Sequence, residues 1–170
     1  CPYIYHAILL GAIGEEAITC LLAANGISID GMNELPNSLF EIVDSKVKNQ
    51  PVYFDFKNYG EGTLNKFVLT SDDYNYDPEL NSAEFIRKVK AKYEILKEVD
   101  PNSILYVLNL YSSNERSPAY FDADMKPVKY EKDSRVRIIS SVLRHDNKSV
   151  VSPEFEAALK FITVYEAATV

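Results

Sequence analysis

Three residues of this chain have the types and spacing of a site that cleaves phosphate esters: Asp44, Asp55 and Lys57. They lie in segments 40–47 and 51–57, both rich in aromatic and β-branched residues and separated by Lys48-Asn49-Gln50, a pattern that predicts an antiparallel hairpin. With the turn at Asn49-Gln50, Lys48 faces Pro51, and counting back along both strands sets Asp44 opposite Asp55. Opposed side chains in such a ladder have Cβ atoms about 4.5–5.5 Å apart, and like charges there are destabilising. At an effective dielectric near 20, two unit charges about 4 Å apart repel by roughly 4 kcal/mol. A divalent cation between the carboxylates would remove that repulsion. Hard oxygen ligands suit Mg²⁺ (or Mn²⁺), which takes one or two carboxylates and completes its shell with water and substrate phosphate. Alternation along the second strand puts Lys57 on the face of Asp55 and turns Phe54 and Phe56 to the other, toward the core. Asp44 and Asp55 would then hold the metal, which polarises a scissile phosphate and activates water. Lys57 would orient that water or stabilise the developing charge. The competing reading is plainer: a strand-end aspartate and a solvated strand face, with no cation.

The elements that must position these residues follow from periodicity and punctuation. Ahead of the hairpin, Gly14-Glu15-Glu16-Ala17-Ile18 runs into Leu21, Leu22 and Ala24 and stops at Asn25-Gly26, which predicts a helix of about three turns. Ile18 and Leu22 follow Glu15 at helical spacing, so Glu15 lies beside the aliphatic face while Glu16 points away from it. Two glutamates in a first turn also simply complement the helix dipole. After the hairpin, residues 58–79 turn to Gly, Asn, Asp and Tyr, with Lys66 to Thr70 the one strand-like piece. Ser82 is placed to cap a helix in which Phe85, Val89, Tyr93 and Leu96 recur at three- and four-residue steps, ending before Asp100-Pro101. Ser103 to Tyr111 is a nearly unbroken apolar run, the mark of a central strand covered on both faces. Residues 112–134 are polar and turn-rich, 135–144 read as a further strand, and Ser152-Pro153-Glu154 opens a last helix.

Helix, hairpin, helix, strand, with an acidic residue ending the first hairpin strand and Asp55-Phe56-Lys57 on the second, resembles the PD-(D/E)XK nuclease superfamily. The run Glu15-Glu16-Ala17-Ile18-Thr19-Cys20-Leu21-Leu22 to Asn25-Gly26 is similar to the first helix of its Holliday-junction resolvases. Val43 stands where many members have proline, and Asp55 where many have glutamate. The resemblance implies an α/β restriction-endonuclease-like core over about 12–110, with residues 111–170 as a C-terminal strand and helix appendage. It implies a metal-dependent endonuclease, acting on DNA in preference to RNA, with Asp44, Asp55, Lys57 and Glu15 catalytic and Asp44, Asp55 and Glu15 on Mg²⁺ or Mn²⁺. A homodimer would suit double-strand cleavage. The alternative is a nuclease-like module that does not cut and serves binding or assembly in a larger nucleic-acid-processing protein.

Bulk properties bound these readings. The 170 residues, 46% hydrophobic and 25% charged, suffice for one domain with its own core. A cysteine at position 1 points to a processed chain or a piece of a longer polypeptide with further domains. No apolar run is long enough to span a membrane, and the two cysteines make no disulfide framework, so the expectation is a cytoplasmic protein with Cys20 a buried thiol. The net charge of −7 opposes a broad electrostatic grip on nucleic acid, although Arg87, Lys88, Lys90, Lys92 and Lys97 form a locally basic stretch. Two histidines, His6 and His145, do not supply a triad or a zinc site. Gly60-Glu61-Gly62 lacks the Lys-Ser/Thr of a phosphate loop. Tyr53, Tyr59, Tyr74 and Tyr76 either stack on bases or cover a core edge.

Overall fold

A computed structural model of the chain describes residues 15–16, 18–57, 78–109, 118–139 and 160. The first helix, α1, is helical at 15–16 and 18–24, and it ends as the sequence indicates. Gly26 adopts φ +76°, its amide donates to the Ala23 carbonyl and the Ile27 amide to the Leu22 carbonyl, both at 3.0 Å. That pair of bonds is a Schellman closure, and its usual apolar clasp is present because Leu22 and Ile27 are buried in one cluster. Ile18 and Leu22 have no exposed surface. Cys20 lies midway between them on the opposite side of the helix and is a free, exposed thiol, not the buried one its apolar neighbours suggested.

Among the described residues, seven strands form one mixed sheet, in which β1 is Ile29–Gly31, β2 Ser45–Val47, β3 Val52–Lys57, β4 Ile104–Asn109, β5 Ala119–Phe121, β6 Pro127–Val128 and β7 Val136–Ile139. The order is β1-β2-β3-β4-β7-β5-β6, with β3, β4 and β7 mutually parallel and the outer pairings antiparallel. The hairpin register pairs Ser45 with Phe54 and Lys46 with Tyr53, the register counted from the turn. Its first strand is shorter than 40–47, however. Asn37–Leu39 forms a 3₁₀ turn, Glu41 takes φ 61°, and the Ile42 amide donates to the Leu39 carbonyl. Leu39 and Val43 are thereby buried four residues apart, a helical rather than an alternating spacing, and Phe40 is left exposed.

Helix α2, Pro78–Val99, links β3 to the parallel β4 and packs Val89, Tyr93 and Leu96 on the sheet. It begins at Pro78, four residues before the expected cap at Ser82; proline suits a first helical turn, where its missing amide costs nothing. The sheet has two cores. Val52, Phe54, Phe56, Ile104, Tyr106 and Leu108 meet α1 on one face, whereas Tyr53, Leu105, Val107, Val136 and Ile138 meet α2 on the other. β4 is accordingly the central strand its apolar run predicts.

The C-terminal part differs from the sequence reading. β7 is no appendage, since all four of its residues are buried and it is paired with β4 on one side and β5 on the other. The polar stretch before it contains a short hairpin, β5-β6, turned at Asp122, whose Oδ1 accepts the amides of Asp124 and Lys126, with Met125 at φ 59°. Side chains close that turn locally, which a composition-based reading registers only as loop. Arg137 on β7 is 1% exposed and sits beside Tyr106, its register partner. Its guanidinium donates to the Tyr106 hydroxyl, to Glu131 Oε1 at 2.9 Å and to Ser134 Oγ at 2.9 Å, so the buried charge is neutralised and bonded. The predicted strand at 66–70 lies outside the described residues, as does the last helix apart from Lys160, which is helical.

Candidate active site

Asp55 stands in the second half of β3, flanked by Phe54 and Phe56, whose rings point into the α1 core. Alternation sends its carboxylate to the α2 side, where the residue is 2% exposed. A carboxylate that dry must be paired or protonated. Two ammoniums pair it: Lys57 Nζ lies 3.1 Å from Oδ1, and Lys92 Nζ, reaching in from α2, lies 2.9 Å from Oδ2. Lys57 shares the face of Asp55, as the strand period requires.

Asp44 adjoins this pair immediately before β2. Its amide donates to the Phe54 carbonyl at 2.8 Å, and its Oδ2 accepts the Phe56 amide at 2.6 Å. The residue is thus clamped to the backbone on both sides of Asp55, its position in the counted register. Burial pushes the Asp44 carboxyl up from 3.8 to about 6; the Phe56 amide opposes the rise, Asp55 and Glu15 add to it, and Lys57 opposes it. Glu15, half-buried on α1, is therefore within electrostatic reach of Asp44, while Glu16 is exposed. Asp44, Asp55 and Lys57 come together at the end of the sheet toward which the parallel strands β3 and β4 run, with Glu15 near enough to act on Asp44 electrostatically. In open α/β sheets that end is where ligands bind.

The repulsion expected of facing aspartates is met differently from the way the sequence alone implied. No cation is needed to offset it: two lysines neutralise Asp55, and Asp44 keeps its proton up to about pH 6. Among the described residues no three carboxylate, histidine or cysteine groups converge on one point, so Glu15 does not complete a three-ligand set with the two aspartates as they stand. Two facing carboxylates with a lysine beside them still fit Mg²⁺ or Mn²⁺, because such ions draw their remaining ligands from water and phosphate.

Lys92 is the member that the sequence did not single out beyond its place in a basic stretch. Its helix position, three after Val89 and four before Leu96, sets it on the flank of the buried stripe, so its stem crosses the α2 interface to the sheet. The periodicity of α2 shows that flank, but which strand residue it meets depends on the packing of α2 over β3. The other bases divide: Arg87, Lys88 and Lys90 are exposed, whereas Lys97 bonds Glu94 and the Ala123 carbonyl. Tyr53 is no stacking platform. It is buried, and its hydroxyl donates to Asp100 Oδ2 at 3.0 Å. Tyr59, Tyr74, Tyr76, His6, His145 and Gly60-Glu61-Gly62 lie outside the described residues. Among the described residues no helix is long and apolar enough to cross a membrane.

A scan against family models finds no match to this chain, and neither does a search of curated proteins.

Proposed function

We propose that this chain is a metal-dependent nuclease that hydrolyses phosphodiester bonds, of DNA in preference to RNA. The observation that supports the reading is the meeting of Asp44, just before β2, with Asp55 and Lys57 of β3 at one end of the sheet, with Glu15 of α1 within electrostatic reach of Asp44. Asp44 and Asp55 would hold Mg²⁺ or Mn²⁺, and Glu15 would add a third negative charge from the α1 side. Bound there, such an ion supplies Lewis acidity at the phosphate and acidifies a water.

The chain's own residues do the rest. Asp44 must release its proton to act as a ligand, so cation binding tightens as the pH rises toward about 6. Lys57, held beside Asp55 and partly exposed, would donate to a non-bridging phosphate oxygen and stabilise charge as it develops. Phe54 and Phe56, buried behind the site, fix the strand from which both residues project.

A second reading has its own support: both oxygens of Asp55 are already satisfied by ammoniums, and the net charge is −7, as suits a module of the same fold that does not cut. One experiment separates the two. Labelled single- and double-stranded DNA and RNA are incubated with Mg²⁺ or Mn²⁺ and either the wild-type chain, Asp55→Ala or Lys57→Ala. Cleavage by the wild type that both substitutions abolish supports the nuclease and reports its substrate. Absence of cleavage with either ion, together with no heat of metal binding, favours the non-cutting module.

A further inference from the structure

Lys92 has no assigned part in the chemistry above, yet it makes the shorter of the two contacts to Asp55. Each oxygen of that carboxylate holds one ammonium, and the carboxylate side chain is 3% exposed, so water does not compete for it. A cation that takes Asp55 therefore competes with these ammoniums for its lone pairs and is repelled by their charge. Lys57 projects from the same strand two residues away, which confines where its ammonium can go. Lys92 belongs to a different element, on a four-carbon stem whose side chain is 28% exposed, and it can swing outward without disturbing the sheet. Outward along α2, one turn earlier and about 6 Å along the axis, is Lys88, exposed on the same row, with Arg87 and Lys90 exposed beside it. A polyanion laid on that basic face would draw the Lys92 ammonium away from Asp55.

Resting on the nuclease reading, we infer that Lys92 is a displaceable counter-ion of Asp55. It occupies the cation's place until a nucleic-acid phosphate takes its ammonium, so that cation and nucleic acid each tighten the other's binding. The coupling is reciprocal by linkage, and it confines metal loading to the substrate complex.

The test is calorimetric titration of Mn²⁺ into the full chain as wild type, Lys92→Met and Lys92→Arg. Each is titrated alone and with a phosphorothioate-linked oligodeoxynucleotide that resists cleavage. Lys92→Met, with the competitor removed, should bind Mn²⁺ on the order of tenfold more tightly than the wild type, the worth of one charge-assisted hydrogen bond. Lys92→Arg, with a firmer hold on the carboxylate, should bind it more weakly. The oligonucleotide should tighten Mn²⁺ binding by the wild type and leave Lys92→Met unchanged. Metal-free thermal melts check folding, and the charge-conserving arginine variant carries the test if the methionine variant is unfolded. Wild type that binds Mn²⁺ as tightly as or more tightly than Lys92→Met overturns the role of Lys92 and leaves the nuclease reading standing. Failure of every folded variant to bind Mn²⁺ overturns both.

Discussion

Asp44→Asn tests the electrostatics of the site without any substrate. The wild-type carboxyl is raised from 3.8 to about 6 in the folded chain, chiefly by burial. Between those values the native state holds a proton that the unfolded chain has released, so stability falls as the pH rises through the window, and the penalty is complete above about pH 7. A shift of about 2 units at about 1.4 kcal/mol each gives a penalty of about 3 kcal/mol. Asparagine is neutral at every pH and avoids it, while its side-chain oxygen can still accept the Phe56 amide, in a weaker bond. Urea unfolding of both chains from pH 4 to pH 7.5 isolates the effect, since the titrations of groups remote from Asp44 cancel in their difference. The stability of Asp44→Asn relative to wild type should rise by about 2.5 kcal/mol over that range, since at pH 4 the unfolded carboxyl is already partly ionised. A difference that stays flat, or that moves the other way, refutes the burial argument and with it the closeness of Asp44 to Asp55 and Glu15. Repeating the series with excess Mn²⁺ should shrink the difference, because a bound cation lowers the carboxyl pKa.

Three further outcomes are expected. Asp55→Asn leaves the partly buried ammoniums of Lys57 and Lys92 without their shared counter-charge and should cost about 2 kcal/mol in urea unfolding; no loss would mean that water compensates both lysines. Glu131→Gln removes the counter-charge of the buried Arg137 guanidinium and should cost about 3 kcal/mol, with the Tm reporting a central defect because β7 neighbours β4; a change within about 0.5 kcal/mol would mean that the remaining hydrogen bonds suffice. Gly26→Ala meets no atom within 4 Å but must adopt φ +76°, so thermal unfolding should show a loss of about 1 kcal/mol from backbone strain alone.

The local logic of this chain reads well from its residues. The 3.6-residue period of Ile18 and Leu22, closed by Asn25-Gly26, defines α1. The spacing of Val89, Tyr93 and Leu96 defines α2, and the two-residue alternation of Phe54 and Phe56 sets which face Asp55 and Lys57 share. The hairpin register follows from loop length, which is why Asp44 is placed beside Asp55 by counting. These features depend on neighbours within a few residues, and steric and hydrogen-bonding rules of that range are written in the sequence. The same rules mislead where a local signal is ambiguous. The segment at 40–44 has strand composition but takes a 3₁₀ turn and a left-handed Glu41, because burying Leu39 and Val43 together beneath α2 outweighs its β-propensity.

Long-range placement was beyond the sequence. That β7 inserts beside β4, that the polar 118–134 stretch supplies a hairpin to the sheet, and that Cys20 faces outward all depend on which surfaces pack together. Charge compensation shows the difference most clearly. From the sequence, two facing aspartates call for a cation; in the fold, a helix starting more than twenty residues further along the chain brings Lys92 to 2.9 Å from Asp55, and burial supplies Asp44 with a proton. Residue order fixes which groups are present and which face each takes on its own element. How their charges are balanced is set by packing, because Coulomb and desolvation energies depend on distances between elements and on the water excluded when they meet.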